Sequence, residues 1–234
     1  MRQRIADVIR TLAHGGLCYY VNIMKRILTL LFVAWGLFPL AAADYFVKTV
    51  KIHPIDSYPA KTTVGGITIV ADPYDSDEKS YSAFDVKHLN SRGYFPVHVI
   101  IQNQSPDFLI TRTRNIILIT GTGEQLYSTP IAVILDDIFN PSAVDKLSQK
   151  PRKTSKKARI GTPLSDFSAK DLTNRMIDPG RVSDGFLFFT NPDPKKDIFA
   201  GSTLYIPSIE EEGTRKTIGP FSIPLDPALS AAKK

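Results

Sequence analysis

Apolar residues recur along most of this chain with the period of two that belongs to half-buried strands. FVKTVKI (46–52) comes first, and ITIVA (67–71) follows a flexible Gly65-Gly66. In YFPVHVIIQN (94–103) the alternation puts Phe95, Val97, Val99 and Ile101 on one face, with His98, Ile100 and Gln102 on the other. FLIT (108–111) and NIILIT (115–120) are next, the latter closing on Gly121-Thr122-Gly123, a hairpin turn into EQLY. GFLFFTN (185–191), STLYIPSI (202–209) and KTIGPFSIPL (216–225) add three more runs. Asn191-Pro192-Asp193-Pro194 and residues 210–213 are the turns between them. The predicted core is the inward row Val97, Val99 and Ile101 beside Phe186 and Phe188.

The period changes to that of a helix twice. Thr129-Pro130 is a helix start, with Ile131, Ile134, Leu135, Ile138 and Phe139 forming one apolar stripe behind it. Ser168 with Asp171 three residues on resembles a capping box. It predicts a second short helix over about 169–177 carrying Leu172, Met176 and Ile177, stopped by Asp178-Pro179-Gly180. Many short strands with few helices predict an antiparallel sandwich, because a parallel sheet needs a long helix after most strands.

From Gly65 to Leu225 the chain resembles a loose group of exported bacterial proteins of unknown function. The likeness rests on GGITIVADPYDSDEKSYSAFD (65–85), FPVHVIIQNQS (95–105), IDPGRVSDGFLFF (177–189), LYIPSI and FSIPL. It implies a mainly β fold, an antiparallel immunoglobulin-like sandwich with two short inserted helices, and an envelope location. It implies no catalytic residue.

Residues 24–43 read MKRILTLLFVAWGLFPLAAA. Lys25 and Arg26 are a basic start, Ile27 to Phe38 an apolar core of 12 residues, Pro39 a helix breaker, and Ala41 and Ala43 a small-x-small cleavage site before Asp44. This is the three-part layout of a secretory signal helix, and it is short of the roughly 20 residues of a membrane span. Residues 1–23 are then either an upstream over-call of the start or an extended n-region. Cys18 follows Gly-Gly-Leu, which is no lipobox. The expected layout is a leader over 24–43, an N-terminal strand and linker over 44–64, a sandwich domain over 65–226 and a tail over 227–234.

The leader alters the charge balance. The whole chain carries +6, but five basic residues (Arg2, Arg4, Arg10, Lys25, Arg26) and one acid (Asp7) precede residue 44. Beyond it, 24 of the 29 basic and 22 of the 23 acidic residues remain, a net +2, so overall basicity does not argue for nucleic acid. Hydrophobic residues at 43% and charged residues at 22% exclude wholesale disorder and a collagen-like fibre. One Cys excludes a Cys-based zinc site.

Asp72, Asp75, Asp77 and Glu78 offer oxygen ligands suited to a hard cation such as calcium. Pro73 and the missing EF-hand spacing favour a solvated loop between strands instead, and no metal or cofactor is expected. Asp136 and Asp137 are helix neighbours about 100° apart, not a facing acid–base pair. His53, His88 and His98 lack ligand spacing, and no G-x-S-x-G elbow occurs.

KLSQKPRKTSKKAR (146–159) is the most distinctive segment. Seven of its 14 residues are basic: Lys146, Lys150, Arg152, Lys153, Lys156, Lys157 and Arg159. Without acids or aromatics it is expected as a solvated loop with no partner, the alternative being docking on an anionic surface, and single-stranded nucleic acid is disfavoured. The expected function is therefore an exported, periplasmic or extracellular, non-enzymatic envelope protein with a binding or structural role. Its expected partner is an envelope protein or an anionic surface met through 146–159, with membrane contact only through an uncleaved leader. An enzyme whose site forms only in three dimensions is the third alternative.

The exported protein is expected to begin at Asp44, cleaved after the Ala41-x-Ala43 site. N-terminal sequencing of the exported form decides this, and an intact leader there rejects it.

Overall fold

A computed structural model describes residues 45–112, 115–139, 161–173 and 175–232. The leader, with Ala41, Ala43 and Asp44, and the basic segment 146–159 lie outside the described residues. The chain is mainly β, with three four-stranded antiparallel sheets and a few short helices.

The first sheet has the order β1 (Lys61–Val64), β2 (Ile67–Pro73), β3 (Tyr94–Asn103), β8 (Val182–Thr190). Val64 pairs with Ile67, so Gly65 and Gly66 are not flexible but form a two-residue turn with both φ positive (57° and 79°). Hairpins favour this turn because its twist matches that of the strands. Lys61–Val64, expected in a linker, is thus a paired strand. FVKTVKI, expected as a strand, pairs with no sheet among the described residues.

The second sheet runs β11 (Thr217–Ile218), β10 (Ile209–Glu211), β4 (Leu109–Ile110), β7 (Met176–Ile177). The third runs β12 (Phe221–Pro224), β9 (Thr203–Ile206), β5 (Ile117–Ile119), β6 (Gln125–Tyr127). The runs 202–209 and 216–225 each divide between these two sheets, at Pro207-Ser208 and Gly219-Pro220.

Helix α1 (Asp77–Ala83) stands where a loop was expected, with Ser76 as its N-cap accepting from the Lys79 N–H. Helix α2 (Ile131–Phe139) follows Thr129-Pro130 as the stripe predicts, with Ile134 and Leu135 buried. Helix α3 (Gly161–Lys170) replaces the helix expected at 169–177. Asp171 does not cap a helix; its carboxylate holds the Thr173 N–H and hydroxyl, and Met176–Ile177 is strand β7. Helix α4 (Asp226–Ala232) closes the described chain.

Apolar side chains gather into two clusters, one on each face of the first sheet. Ile67, Ile69, Val97, Val99, Ile101, Leu187 and Phe189 share one cluster with Leu109, Ile209, Leu118, Leu204 and Phe221 of the other two sheets. Phe186 and Phe188 belong to the other, with Phe84, Ile134, Leu135 and Phe167 of the helical side. The expected pairing of Val97, Val99 and Ile101 with Phe186 and Phe188 is therefore incorrect. In the β3–β8 register Val97 opposes Leu187, while His98 opposes Phe186 and Pro96 opposes Phe188. GFLFF is apolar at every position after Gly185, so its own pattern does not mark a face.

Gly185 is fixed by a close approach. A Cβ there would lie 2.7 Å from Leu172 Cα and 2.8 Å from Leu172 N, where Asp171 bridges Phe186. Gly185→Ala is expected to cost about 1–3 kcal/mol by overpacking, several degrees in thermal midpoint. An unchanged midpoint in thermal unfolding contradicts this close packing.

Candidate functional site

The acidic residues singled out by sequence do not converge on one point. Asp72, at the end of β2, pairs with Lys79 at 2.7 Å, and the same ammonium donates to the Pro73 carbonyl at 2.7 Å. Asp77 in the first turn of α1 accepts the Ser91 N–H at 3.0 Å and the Ser91 hydroxyl, with His88 Nδ1 at 3.5 Å. Asp75 and Glu78 are exposed. Among the described residues no group of three or more His, Cys, Asp or Glu could hold a metal ion.

The structure assembles a different polar cluster on the helical side of the first sheet. His98 is only 1% exposed, in the middle of β3. Its Nε2–H donates to Asp184 on β8, 2.8 Å away. Phe186 stacks on the imidazole at 4.6 Å between centroids, and Tyr74 meets it edge-on at 6.3 Å. Asp72 is its backbone neighbour across β2. The His98 hydrogen bond holds the Asp184 carboxyl below the usual carboxylate range, against the opposing effect of burial. Burial pushes the Tyr74 phenol up, and the Asp72 charge adds to that.

A second buried acid fixes the N-terminal segment. Asp166 of α3, 3% exposed, accepts the Tyr45 hydroxyl at 2.6 Å and the Lys170 ammonium at 2.7 Å. Lys170 also donates to the Ala83 carbonyl at 2.7 Å, and its ammonium lies over the Phe84 ring at 5.1 Å. Burial first, then the Asp166 hydrogen bond, pushes the Tyr45 phenol up. On α2, Asp137 contributes to Tyr94, whose phenol burial and that carboxylate push up to about 12.

His98 and Asp166 are buried, while the Asp184 side chain is 33% exposed. A general base must reach a substrate proton, but His98 lies beneath Tyr74 and Phe186, with Nε2 engaged by Asp184. The His98–Asp184 and Asp166–Lys170 pairs neutralise charge within the fold.

A cavity of about 260 Å³ lies between the β5–β6 turn and the 191–201 loop, lined by Thr122, Glu124, Asn191, Lys196, Asp197 and Gly201 among others. Asp197 accepts the backbone N–H groups of Phe199 and Ala200, which shapes the loop wall.

Sequence inspection missed Asp184 and Asp166. One partial signal was available: a histidine between Val97 and Val99 in an apolar strand requires a partner, but naming Asp184 as that partner takes the β3–β8 register. No helix among the described residues is long and apolar enough to cross a membrane.

No protein-family model matches the chain, and no curated protein matches it. Among solved structures it is similar to the yjhA protein from Bacillus subtilis, at 10% identity and a TM-score of 0.35, over 63% of this chain and 79% of that one. It is also similar to a functionally unknown protein from Listeria monocytogenes EGD-e, at 11% identity and a TM-score of 0.34, over 70% and 79% respectively. At such scores neither fold nor function is carried across.

Asp184→Asn keeps an acceptor for His98 and removes the charge. Because the folded Asp184 titrates below the ordinary carboxylate value of about 3.9, its stabilisation is present above that pH and is lost as pH falls through the folded value. Wild type is expected to exceed the variant in urea-unfolding stability at pH 7, with the gap closing as pH drops below about 4. A gap unchanged at pH 2 rejects the assignment.

Proposed function

We propose that the chain is an exported, non-enzymatic protein of the cell envelope, built on an immunoglobulin-like sandwich, with a binding or structural role. Support for the sandwich comes from the apolar cluster shared by the first sheet and the other two. Support for a non-enzymatic role comes from His98, Asp184, Asp166 and Lys170, each engaged by a partner inside the fold. Export rests on the leader at 24–43.

A second reading adds the contact by which the protein binds. The segment 146–159 docks on an anionic surface. The observation that favours it is the charge of the segment: seven of its 14 residues are basic and none is acidic. Near an anionic membrane each basic residue contributes about 1 kcal/mol.

Replacing Lys150, Lys153, Lys156 and Lys157 by Ser is expected to lower binding to anionic vesicles or wall polymer by at least about 100-fold. Wild-type binding is expected to weaken with salt, as the Debye length falls from about 10 Å at 0.1 M to about 3 Å at 1 M. The quadruple variant keeps its thermal midpoint within about 2 °C. Binding equal to wild type, or insensitive to salt, removes this second reading.

A further inference from the structure

Residues 45–54 carry neither helix nor strand, yet the first six are held down at several points. The Tyr45 hydroxyl donates to Asp166 of α3 at 2.6 Å, and its ring meets Phe139 of α2 edge-on at 6.3 Å between centroids. The Phe46 N–H donates to Asp85 at 2.8 Å. Lys48 pairs with the same carboxylate at 3.7 Å, donates to the Tyr81 carbonyl of α1 and places its ammonium over the Tyr81 ring. Tyr45 and Val50 are half-buried against the cluster that holds Phe84 and Phe167. Between them Phe46 and Val47 stand in water, and Lys51 to Pro54 are exposed in turn. The segment lies as a strap across three helices, fastened by side chains and by no strand ladder.

Little of the fold depends on it. With Tyr45 withdrawn, Asp166 keeps the Lys170 ammonium at 2.7 Å, so its buried charge stays paired. Lys170 keeps the Ala83 carbonyl at 2.7 Å and Phe84 keeps Phe167 at 4.5 Å, so α1 and α3 stay joined. The Tyr45 hydroxyl, the Phe46 N–H and the Lys48 ammonium each find water in exchange, and the freed residues regain backbone entropy. Only two half-buried side chains lose apolar contact. Segments with so few such contacts open locally, well below the free energy of global unfolding.

We propose that residues 45–50 are a releasable strap that opens as one unit, hinged at 51–54, while the helices and sheets stay folded. Closed, Tyr45 covers the Asp166–Lys170 pair, whose side chains are 1% and 15% exposed. Open, the pair meets solvent. The strap is thus a gate over a buried ion pair, independent of any role for 146–159.

Native-state hydrogen exchange on the full chain tests this. The Phe46 amide reports the strap, and the β3 amides, held between β2 and β8, report the core. In wild type, Phe46 exchange is expected to be slower than in an unstructured peptide and insensitive to low urea, whereas β3 exchange rises with urea. Val99→Ala is expected to speed β3 exchange and leave Phe46 exchange unchanged, because the closed and open strap share that core. Should Val99→Ala fail to fold, the urea series carries the same comparison. Tyr45→Phe is expected to speed Phe46 exchange by about tenfold or more, the factor for losing a hydrogen bond to a charged group. Tyr45→Ala is expected to raise the rate at which acetic anhydride modifies Lys170, again by about tenfold or more. Phe46 exchange that follows β3 in urea or in Val99→Ala shows opening only by global unfolding and overturns the proposal. Unprotected Phe46 in wild type overturns it too, since no strap is then closed. Exchange unchanged in Tyr45→Phe rejects Tyr45 as the latch, and Lys170 modification unchanged in Tyr45→Ala rejects the gate.

Discussion

Burial of β2, β3 and β8 on both faces is the constraint from which the rest of the described fold follows. Antiparallel sheets commonly leave one face to water and alternate accordingly. Here Val97, Val99 and Ile101 point into the cluster shared with the other two sheets, while Ile100 and Phe186 are equally dry on the opposite side. Such a sheet needs a cover on each side. Helices α1, α2 and α3 supply the second cover through Phe84, Ile134, Leu135 and Phe167, with Phe84 4.5 Å from Phe167 and 4.9 Å from Phe186 between centroids.

Polar groups on that second face face a steep penalty, because an unpaired buried charge or donor costs several kcal/mol in a dry setting. Each has a partner. His98 has Asp184, Asp72 has Lys79, and Asp166 has both Tyr45 and Lys170. The pairs also join elements distant in sequence: Tyr45 and Asp166 are 121 positions apart, His98 and Asp184 are 86. Removing Lys170 leaves the buried Asp166 carboxylate with only the Tyr45 hydroxyl to offset its charge and costs about 3–5 kcal/mol by the usual behaviour of broken buried pairs. Tyr45 turns the same carboxylate into an anchor for the N-terminal segment.

Strand-forming runs and α2 were legible because their apolar periods are regular and their ends carry turn or cap residues. What was illegible has physical causes. Helix α1 buries only Ser80 and Ala83, so it has no apolar stripe to betray it. Helix α3 buries Asp166 beside Phe167, and a buried carboxylate breaks the pattern that marks a helix face. In β8 apolar residues fill both faces, so the period of two disappears and only the register with β3 separates Leu187 from Phe186 and Phe188. Of the polar cluster, His98 was visible as an oddity in its strand. Its partner was not, since pairing across 86 positions depends on that register.

At the surface the fold makes fewer demands on its side chains. The anchors at Tyr45, Asp85 and Asp166 hold the N-terminal backbone while Phe46 and Val47 stand in water. Phe139 is exposed at the end of α2, where Ile134 and Leu135 have already secured the helix. Covering the first sheet on both faces thus secures the core without calling on these exposed groups.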